Sequence, residues 1–228
     1  MSAAGARHVP SPAGPAWGRW VGRFLARVVW DTHVTGAERV PRSGPVVLAA
    51  NHITLLDGPL LVGAAPRPLH VLVKTELFRG PLGLVLRAAG QIPVDRANGR
   101  PALQSALGVL RRGGAVGIFP EGTRGRGTVE QVRAGAAWLA VNGGAPVVPV
   151  AILGTRRTGE SAHGLPELRR DLVVEFGDPI DVGADGLSRR EAIDHAAASL
   201  RSALSELLVT AQARTGVELP ADDPRSTA

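Results

Sequence analysis

Short, largely apolar runs bounded by Gly, Pro or polar residues recur along the chain, and they limit the folds that it can adopt. Apolar runs this short predict strands buried on both faces of a sheet. The predicted strands are residues 46–50, 70–74, 91–94, 115–119, 147–153 and 172–176. Segments with helical apolar periodicity lie between most of them. This alternation predicts an α/β fold: a single domain with a mostly parallel central sheet flanked by helices.

The chain ends are predicted to lie outside this domain, which we expect over residues 31–214. Residues 1–16 are rich in Ala, Gly, Pro and Ser and predict a disordered lead. Residues 215–228 predict a disordered tail, and residues 31–45 an irregular entry to the first strand. No signal-peptide core is apparent near the start, so we expect no export signal.

Residues 17–30 predict an amphipathic helix at the N-terminus. Apolar residues recur there at helical spacing, and arginines recur every four residues on another face. Trp at headgroup level and Arg towards anionic lipid are typical of a helix lying in a membrane interface. The expected interface residues are Trp17, Trp20, Phe24, Arg19, Arg23 and Arg27. The alternative is a helix that packs on the domain and leaves its basic face in solvent.

The composition favours an anionic partner. The net charge is +6 and the isoelectric point is near 11.3, which suits nucleic acid, anionic lipid or phosphorylated small molecules. Of 26 basic residues only Lys74 is a lysine, which suggests a site that prefers a compact ammonium. Cys is absent, so disulfides and Cys-ligated metal sites are excluded. We expect no metal and no cofactor.

A histidine and an aspartate follow the first predicted strand, as His52 and Asp57. An imidazole held by a carboxylate is the general-base half of a catalytic triad. Residues five apart in a continuous helix face different directions, so the pair can meet only if the helix begins after His52. The stretch offers no nucleophile, and the attacking hydroxyl is expected to come from a substrate. A buried histidine beside a capping aspartate is the alternative.

A glycine-rich basic loop follows the strand at 115–119. Gly122, Gly125 and Gly127 allow close backbone approach, and Arg124 and Arg126 supply forked donors for a phosphate. The loop lacks the ending of a nucleotide P-loop, so ATP binding is not indicated. A flexible basic loop without a ligand is the alternative.

The carboxyl ends of parallel strands share one edge of the sheet, where ligands bind in open α/β folds. We therefore expect one mouth to collect the polar residues that follow the strands. They are His52, Asp57, Lys74, Arg96, Glu121 and Arg124.

Four motifs together resemble those of the glycerolipid acyltransferase family typified by 1-acyl-glycerol-3-phosphate acyltransferases. They are Asn-His-x4-Asp at 51–57, a block at 74–96, Phe-Pro-Glu-Gly-Thr-Arg at 119–124, and a block at 145–151. The resemblance spans roughly residues 36–155, and four motifs in order are far more specific than one. A Phe-Lys-x-Gly run of many members is here Val132-Arg133-Ala134-Gly135, which keeps the charge and loses the aromatic ring.

The resemblance implies an O-acyltransferase. His52 would take the proton of the acceptor hydroxyl and Asp57 would orient it. The hydroxyl would then attack the thioester of acyl-CoA or acyl carrier protein without an acyl-enzyme.

A phosphate site is also implied for the acceptor. Lys74 and Arg124 would bind the phosphate, Glu121 and Gly122 would shape the site, and Arg96 would contribute.

The resemblance further implies acylation of 1-acyl-glycerol-3-phosphate to phosphatidate in phospholipid biosynthesis, by a peripheral protein on the cytoplasmic face of the cell membrane. The expected partners are a lysophospholipid, the acyl donor and the membrane surface, and no nucleic acid. The alternatives are another lysolipid or glycerol-3-phosphate as acceptor, a thioesterase, a non-catalytic lipid-binding protein, and a nucleic-acid binder suggested by charge alone.

Overall fold

Seven strands form one sheet in the computed structural model, which describes residues 9–95, 97–122, 124–129, 133–162, 164–183 and 186–222. The strands are β1 (Asp31–Thr35), β2 (Val46–Ala50), β3 (Leu69–Lys74), β4 (Ile92–Val94), β5 (Ala115–Ile118), β6 (Val147–Leu153) and β7 (Asp171–Phe176). Their spatial order is β1-β7-β6-β2-β5-β3-β4. The five strands from β6 to β4 are parallel, whereas β7 is antiparallel to β6, and β1 is parallel to β7. The predicted mostly parallel sheet is confirmed.

Helices cover both faces of this sheet. They are α1 (Gly14–Phe24), α2 (Asp57–Ala64), α3 (Gly80–Ala88), α4 (Arg100–Arg111), α5 (Gly135–Gly143) and α6 (Arg189–Thr215). The strands therefore lie between two apolar layers. In β2, Leu48 belongs to the apolar layer that also contains Leu60 of α2, and Val47 belongs to the other layer, which contains Leu204 of α6. Two covered faces explain why the central strands are apolar throughout rather than alternating.

The entry at residues 31–45 was predicted to be irregular, and this prediction is wrong for its first part. Residues 31–35 form β1, which pairs with β7 in the register Asp31↔Asp171. β1 is an edge strand whose residues alternate between exposed and half-buried, so its sequence contains no apolar run. Strand formation here follows from pairing with a distant segment.

The N-terminal helix was predicted over 17–30, and α1 occupies 14–24 before one π-helical turn at Leu25–Val29. It packs through glycines rather than through its apolar stripe. A Cβ on Gly22 would lie 2.7 Å from the backbone nitrogen of Gly63 in α2, which no side chain could accommodate. This packing leaves Trp20 and Phe24 71% and 57% exposed. None of the described helices is long and apolar enough to cross a bilayer.

The C-terminal segment was predicted to be disordered from residue 215. α6 begins with a capping box between Ser188 and Glu191 and ends at Gly216, whose φ of +70° reverses the chain. Residues 216–222 then return to the sheet, where Pro220 is buried and Asp222 is hydrogen-bonded to Arg156. The prediction is therefore corrected for this stretch. Residues 1–8 and 223–228 of the predicted lead and tail lie outside the described residues.

Candidate active site

Several strands end together at one edge of the sheet, and the predicted polar residues follow them directly. His52 comes two residues after β2, Lys74 is the last residue of β3, and Gly122 and Arg124 lie in the loop after β5. A cavity of about 450 Å³ opens at this edge, and all four of these residues line it. The structure thus brings the imidazole and the two cations to one cavity.

His52 and Asp57 meet because the chain between β2 and α2 is not helical. α2 begins at Asp57, so the loop from 51 to 56 can turn the two side chains towards each other. His52 Nδ1 lies 2.9 Å from Asp57 Oδ2. The condition set by the spacing, a helix that begins after His52, is met.

The Asp57 carboxylate is fully buried and is held by donors from two segments. Its Oδ2 accepts from the backbone N–H groups of Ile53 (2.6 Å) and Thr54 (2.8 Å) in addition to His52. Its Oδ1 accepts from the Thr155 hydroxyl at 2.9 Å, after β6, and from the Thr54 hydroxyl at 3.3 Å. A carboxylate that accepts at both oxygens requires the hydrogen on His52 Nδ1, which leaves Nε2 as a proton acceptor.

His52 makes three further contacts, one through its ring and two through its backbone. Its ring stacks on Phe119, with the centroids 4.2 Å apart and the planes 22° from parallel. The His52 backbone N–H donates to Glu121 Oε1 at 2.9 Å, and its carbonyl accepts from the Gly125 N–H at 3.1 Å. The Glu121 carboxylate therefore binds the backbone of His52.

The buried side-chain amide of Asn51, next to His52, makes two hydrogen bonds to the backbone of β6, like those between neighbouring strands of a sheet. Its Nδ2 donates to the carbonyl of Ile152 in β6 at 2.9 Å, and its Oδ1 accepts from the Ile152 N–H at 2.7 Å. These two bonds fix the residue that precedes His52. Asn51 belongs to the first sequence motif, but its sequence position predicted no role for it.

Arginine and lysine side chains line the same cavity as the imidazole. Lys74 and Arg124 are there as predicted, and Arg124 Nη1 lies 3.4 Å from the Ala162 carbonyl. Arg133 lines the same cavity, and the sequence motifs predicted no binding role for it. A Cβ on Gly122, whose φ is +69°, would lie 2.6 Å from Arg133 Nε, so a glycine is needed for this arginine to lie across the loop. Arg96 lies outside the described residues.

The rest of the cavity wall is mainly apolar. It is formed chiefly by β3, α3, β5 and α4, with Leu77, Leu82, Leu86, Val94, Leu103 and Ile118 among the lining residues. A cavity lined by basic side chains, an imidazole and many aliphatic side chains suits an amphiphile that carries a phosphate and an alkyl chain.

Two of the predicted interface residues contact the domain instead of pointing freely into solvent. The Trp17 indole Nε1 donates to the carbonyl of Ala88, at the end of α3, at 3.1 Å. Arg19 Nε donates to the carbonyl of Ala65, just after α2, at 2.9 Å. Both contacts fix α1 against the domain.

The other predicted interface residues lie on the outer side of α1 and of the turn that follows it. Trp20 and Phe24 are exposed, and the Arg23 guanidinium lies 5.8 Å from the centre of the Trp20 ring. Arg27 is exposed as well. An aromatic and basic outer surface therefore remains uncovered.

Comparison with known proteins places this site in a family context. The sequence model of the family described as Acyltransferase matches residues 31–153. The chain is 35% identical over 127 residues to 1-acyl-sn-glycerol-3-phosphate acyltransferase of Borreliella burgdorferi, covering 54% of this chain and 51% of that protein. It is 37% identical over 126 residues to the enzyme of the same name from Bacillus subtilis, covering 53% and 62%. The chain thus spans about half to three fifths of the length of these curated relatives.

A solved structure extends the similarity over most of the chain. The crystal structure of the 1-acyl-sn-glycerophosphate (LPA) acyltransferase PlsC from Thermotoga maritima superposes with a TM-score of 0.64 and 26% sequence identity. The match covers 85% of this chain and 79% of that one.

Proposed function

Because this chain belongs to the acyltransferase family, we propose that it transfers a fatty acyl group from acyl-CoA or acyl carrier protein to the free hydroxyl of 1-acyl-glycerol-3-phosphate, forming phosphatidate. The names of the relatives support this acceptor. The observation that carries the proposal is the His52–Asp57 pair, whose imidazole lines a cavity together with three basic and many aliphatic side chains.

The nucleophile comes from the acceptor. None of the described residues that line the cavity is Ser, Thr or Cys, so they offer no hydroxyl or thiol to form an acyl-enzyme. A base without a protein nucleophile fits direct transfer between two bound substrates.

The proposed reaction proceeds in two proton-coupled steps. His52 Nε2 removes the proton of the acceptor hydroxyl while the oxygen forms a bond to the thioester carbonyl carbon. Asp57 stabilises the imidazolium and keeps the hydrogen on Nδ1. The tetrahedral intermediate then collapses, the C–S bond breaks, and the imidazolium returns its proton to the thiolate. Atoms and charge balance, and His52 is regenerated.

Lys74, Arg124 and Arg133 bind the acceptor phosphate in this proposal. Forked arginine donors and a compact ammonium are the side chains that suit a phosphate best. The aliphatic part of the cavity takes an acyl chain, since it offers no polar partner that a hydrocarbon would have to desolvate.

A thiol-release assay tests the reaction. Purified protein is mixed with acyl-CoA, or in parallel with acyl carrier protein, and with 1-acyl-glycerol-3-phosphate, glycerol-3-phosphate or other lysolipids. We expect release that depends on 1-acyl-glycerol-3-phosphate and yields phosphatidate. Release without any lysolipid would indicate a thioesterase, and lipid binding without release from either donor would indicate a non-catalytic protein. Either result contradicts the proposal.

We also propose that the outer side of α1 rests on the cytoplasmic surface of the membrane. Trp20 and Phe24 would enter the interface, and Arg23 and Arg27 would meet anionic headgroups. The serine double variant of Trp20 and Phe24 should lose most sedimentation with anionic vesicles. Val209→Ser, which removes a 66% exposed valine on α6, on the opposite face of the sheet from α1, is the matched control. Equal losses in the two proteins would argue against this surface.

A further inference from the structure

Thr155 lies outside the four sequence motifs and contacts the His52–Asp57 pair. It follows β6 and is 2% exposed, and its hydroxyl donates to Asp57 Oδ1 at 2.9 Å. His52 and the backbone of Ile53 and Thr54 occupy Oδ2. Oδ1 accepts hydrogen bonds from the hydroxyls of Thr155 and Thr54, and the bond from Thr155 is the shorter of the two.

The residue after Thr155 is held by the C-terminal segment 216–222. The Arg156 side chain is fully buried, and its Nη1 donates to Asp222 Oδ2 at 2.8 Å. Its Nη2 donates to the Asp222 carbonyl at 2.7 Å. Nearby, the Ala221 N–H donates to the Thr158 hydroxyl at 3.0 Å. The loop that carries Thr155 is thus attached to the end of the described chain.

The C-terminal segment 216–222 also contacts the loop after β5, at Gly127. Leu219 Cδ2 lies 3.3 Å from the position that a Cβ on Gly127 would take. That position is 2.9 Å from both Asn51 Nδ2 and Ile53 Cγ1, which flank His52 in sequence. Residues 216–222 therefore contact both the loop after β6, which carries Thr155, and the loop after β5, which carries Gly127.

We propose that Thr155 is a positioning residue for the Asp57 carboxylate, and that the C-terminal segment 216–222 holds Thr155 in place through Asp222 and Arg156. The inference rests on the proposed function for its kinetic consequence. Without the Thr155 hydroxyl, the carboxylate can rotate about its Cβ–Cγ bond and weaken its bond to the imidazole. The base is then misaligned while the substrate contacts stay intact.

Three variants test the role of Thr155. Thr155→Val should lower kcat about 10-fold, equivalent to about 1.4 kcal/mol in the barrier, with the acceptor KM within about twofold. Thr155→Ser keeps the hydroxyl and should restore most of the rate. Thr32→Val is the matched control, because Thr32 has a buried hydroxyl oxygen without a hydrogen-bond partner among the described residues. Equal rates in Thr155→Val and the control would overturn the proposal, as would a Thr155→Ser variant as slow as Thr155→Val.

Asp222→Asn tests the segment, with Asp178→Asn as control because Asp178 pairs with Arg39 on the opposite edge of the sheet. We expect kcat to fall about fivefold in Asp222→Asn alone. Equal kcat values in Asp222→Asn and Asp178→Asn would overturn the role of the segment.

Proton NMR of the free protein tests the positioning role of Thr155 independently of the proposed reaction. The downfield proton resonance of His52 Nδ1–H in the free protein reports its bond to Asp57 without any substrate. It should shift or broaden in Thr155→Val and Asp222→Asn and stay in place in Thr155→Ser and both controls. If wild-type protein transfers no acyl group, the proposed reaction fails while this measurement still decides the positioning role. An unchanged resonance in Thr155→Val would overturn that role.

Discussion

Replacing Asp57 by asparagine removes the charge that stabilises the His52 imidazolium while keeping the size of the side chain. The amide oxygen can still accept from the backbone N–H groups of Ile53 and Thr54, so the loop should keep its conformation. The amide NH₂ then faces the hydroxyl of Thr155, which can rotate and accept instead of donating.

The magnitude follows from the geometry of the pair. Nδ1 and Oδ2 are 2.9 Å apart, and both charges are spread over their groups, so their centres are separated by about 4 Å. With an effective dielectric constant of about 20, the attraction is about 4 kcal/mol. Each 1.4 kcal/mol corresponds to about a factor of ten in rate, so kcat should fall roughly a thousandfold.

Initial rates of thiol release at saturating acyl donor, measured against the concentration of 1-acyl-glycerol-3-phosphate, give kcat and KM separately. The acceptor KM should change little, because Asp57 is buried behind the imidazole. Asp178→Asn is the matched control, and thermal unfolding followed by circular dichroism checks that both variants fold. A folded Asp57→Asn enzyme with kcat within about tenfold of wild type would refute the assigned role of this charge.

Two further predictions concern the cations of the cavity and a buried histidine. Lys74→Ala and Arg124→Ala should raise the acceptor KM more than they lower kcat, and a rise confined to the acyl-donor KM would reassign both residues. Burial lowers the pKa of His70 below its ordinary 6.5, although the bond to the Gly90 carbonyl opposes this shift, and the ring accepts a hydrogen bond from Arg112. The unfolded chain therefore binds this proton more readily, so the free energy of unfolding should be highest above pH 6.5 and fall as the pH drops from 6.5 towards the lowered pKa. Urea titrations between pH 8 and 5 measure this slope, and it should be smaller in His70→Gln; equal slopes would contradict the assignment.

Much of the fold follows from local sequence. β2 and β6 are apolar at every position because both of their faces are covered, and such short runs leave little choice but a buried strand. The predicted strands also gave the positions of His52 and Lys74, because residues at the carboxyl ends of parallel strands lie at the edge of the sheet where ligands bind.

Local sequence could not indicate the contacts that depend on distant segments. β1 has no apolar run and becomes a strand by pairing with β7, far along the chain. The apolar stripe of α1 predicted a membrane interface, with packing on the domain as the alternative. It did not indicate that Gly22 packs on Gly63, where only a glycine allows the two helices to come so close.

Within the site, too, some features follow from local sequence and others depend on distant segments. Local sequence was enough to predict that an imidazole and a carboxylate follow β2, because both belong to one short motif. The orientation of the carboxylate depends instead on distant segments, since Thr155 lies 98 positions after Asp57, and Asp222 lies 66 positions after Arg156. Residue types and local spacing specify which groups are available, whereas hydrogen bonds between distant segments form only once the sheet has brought those segments together.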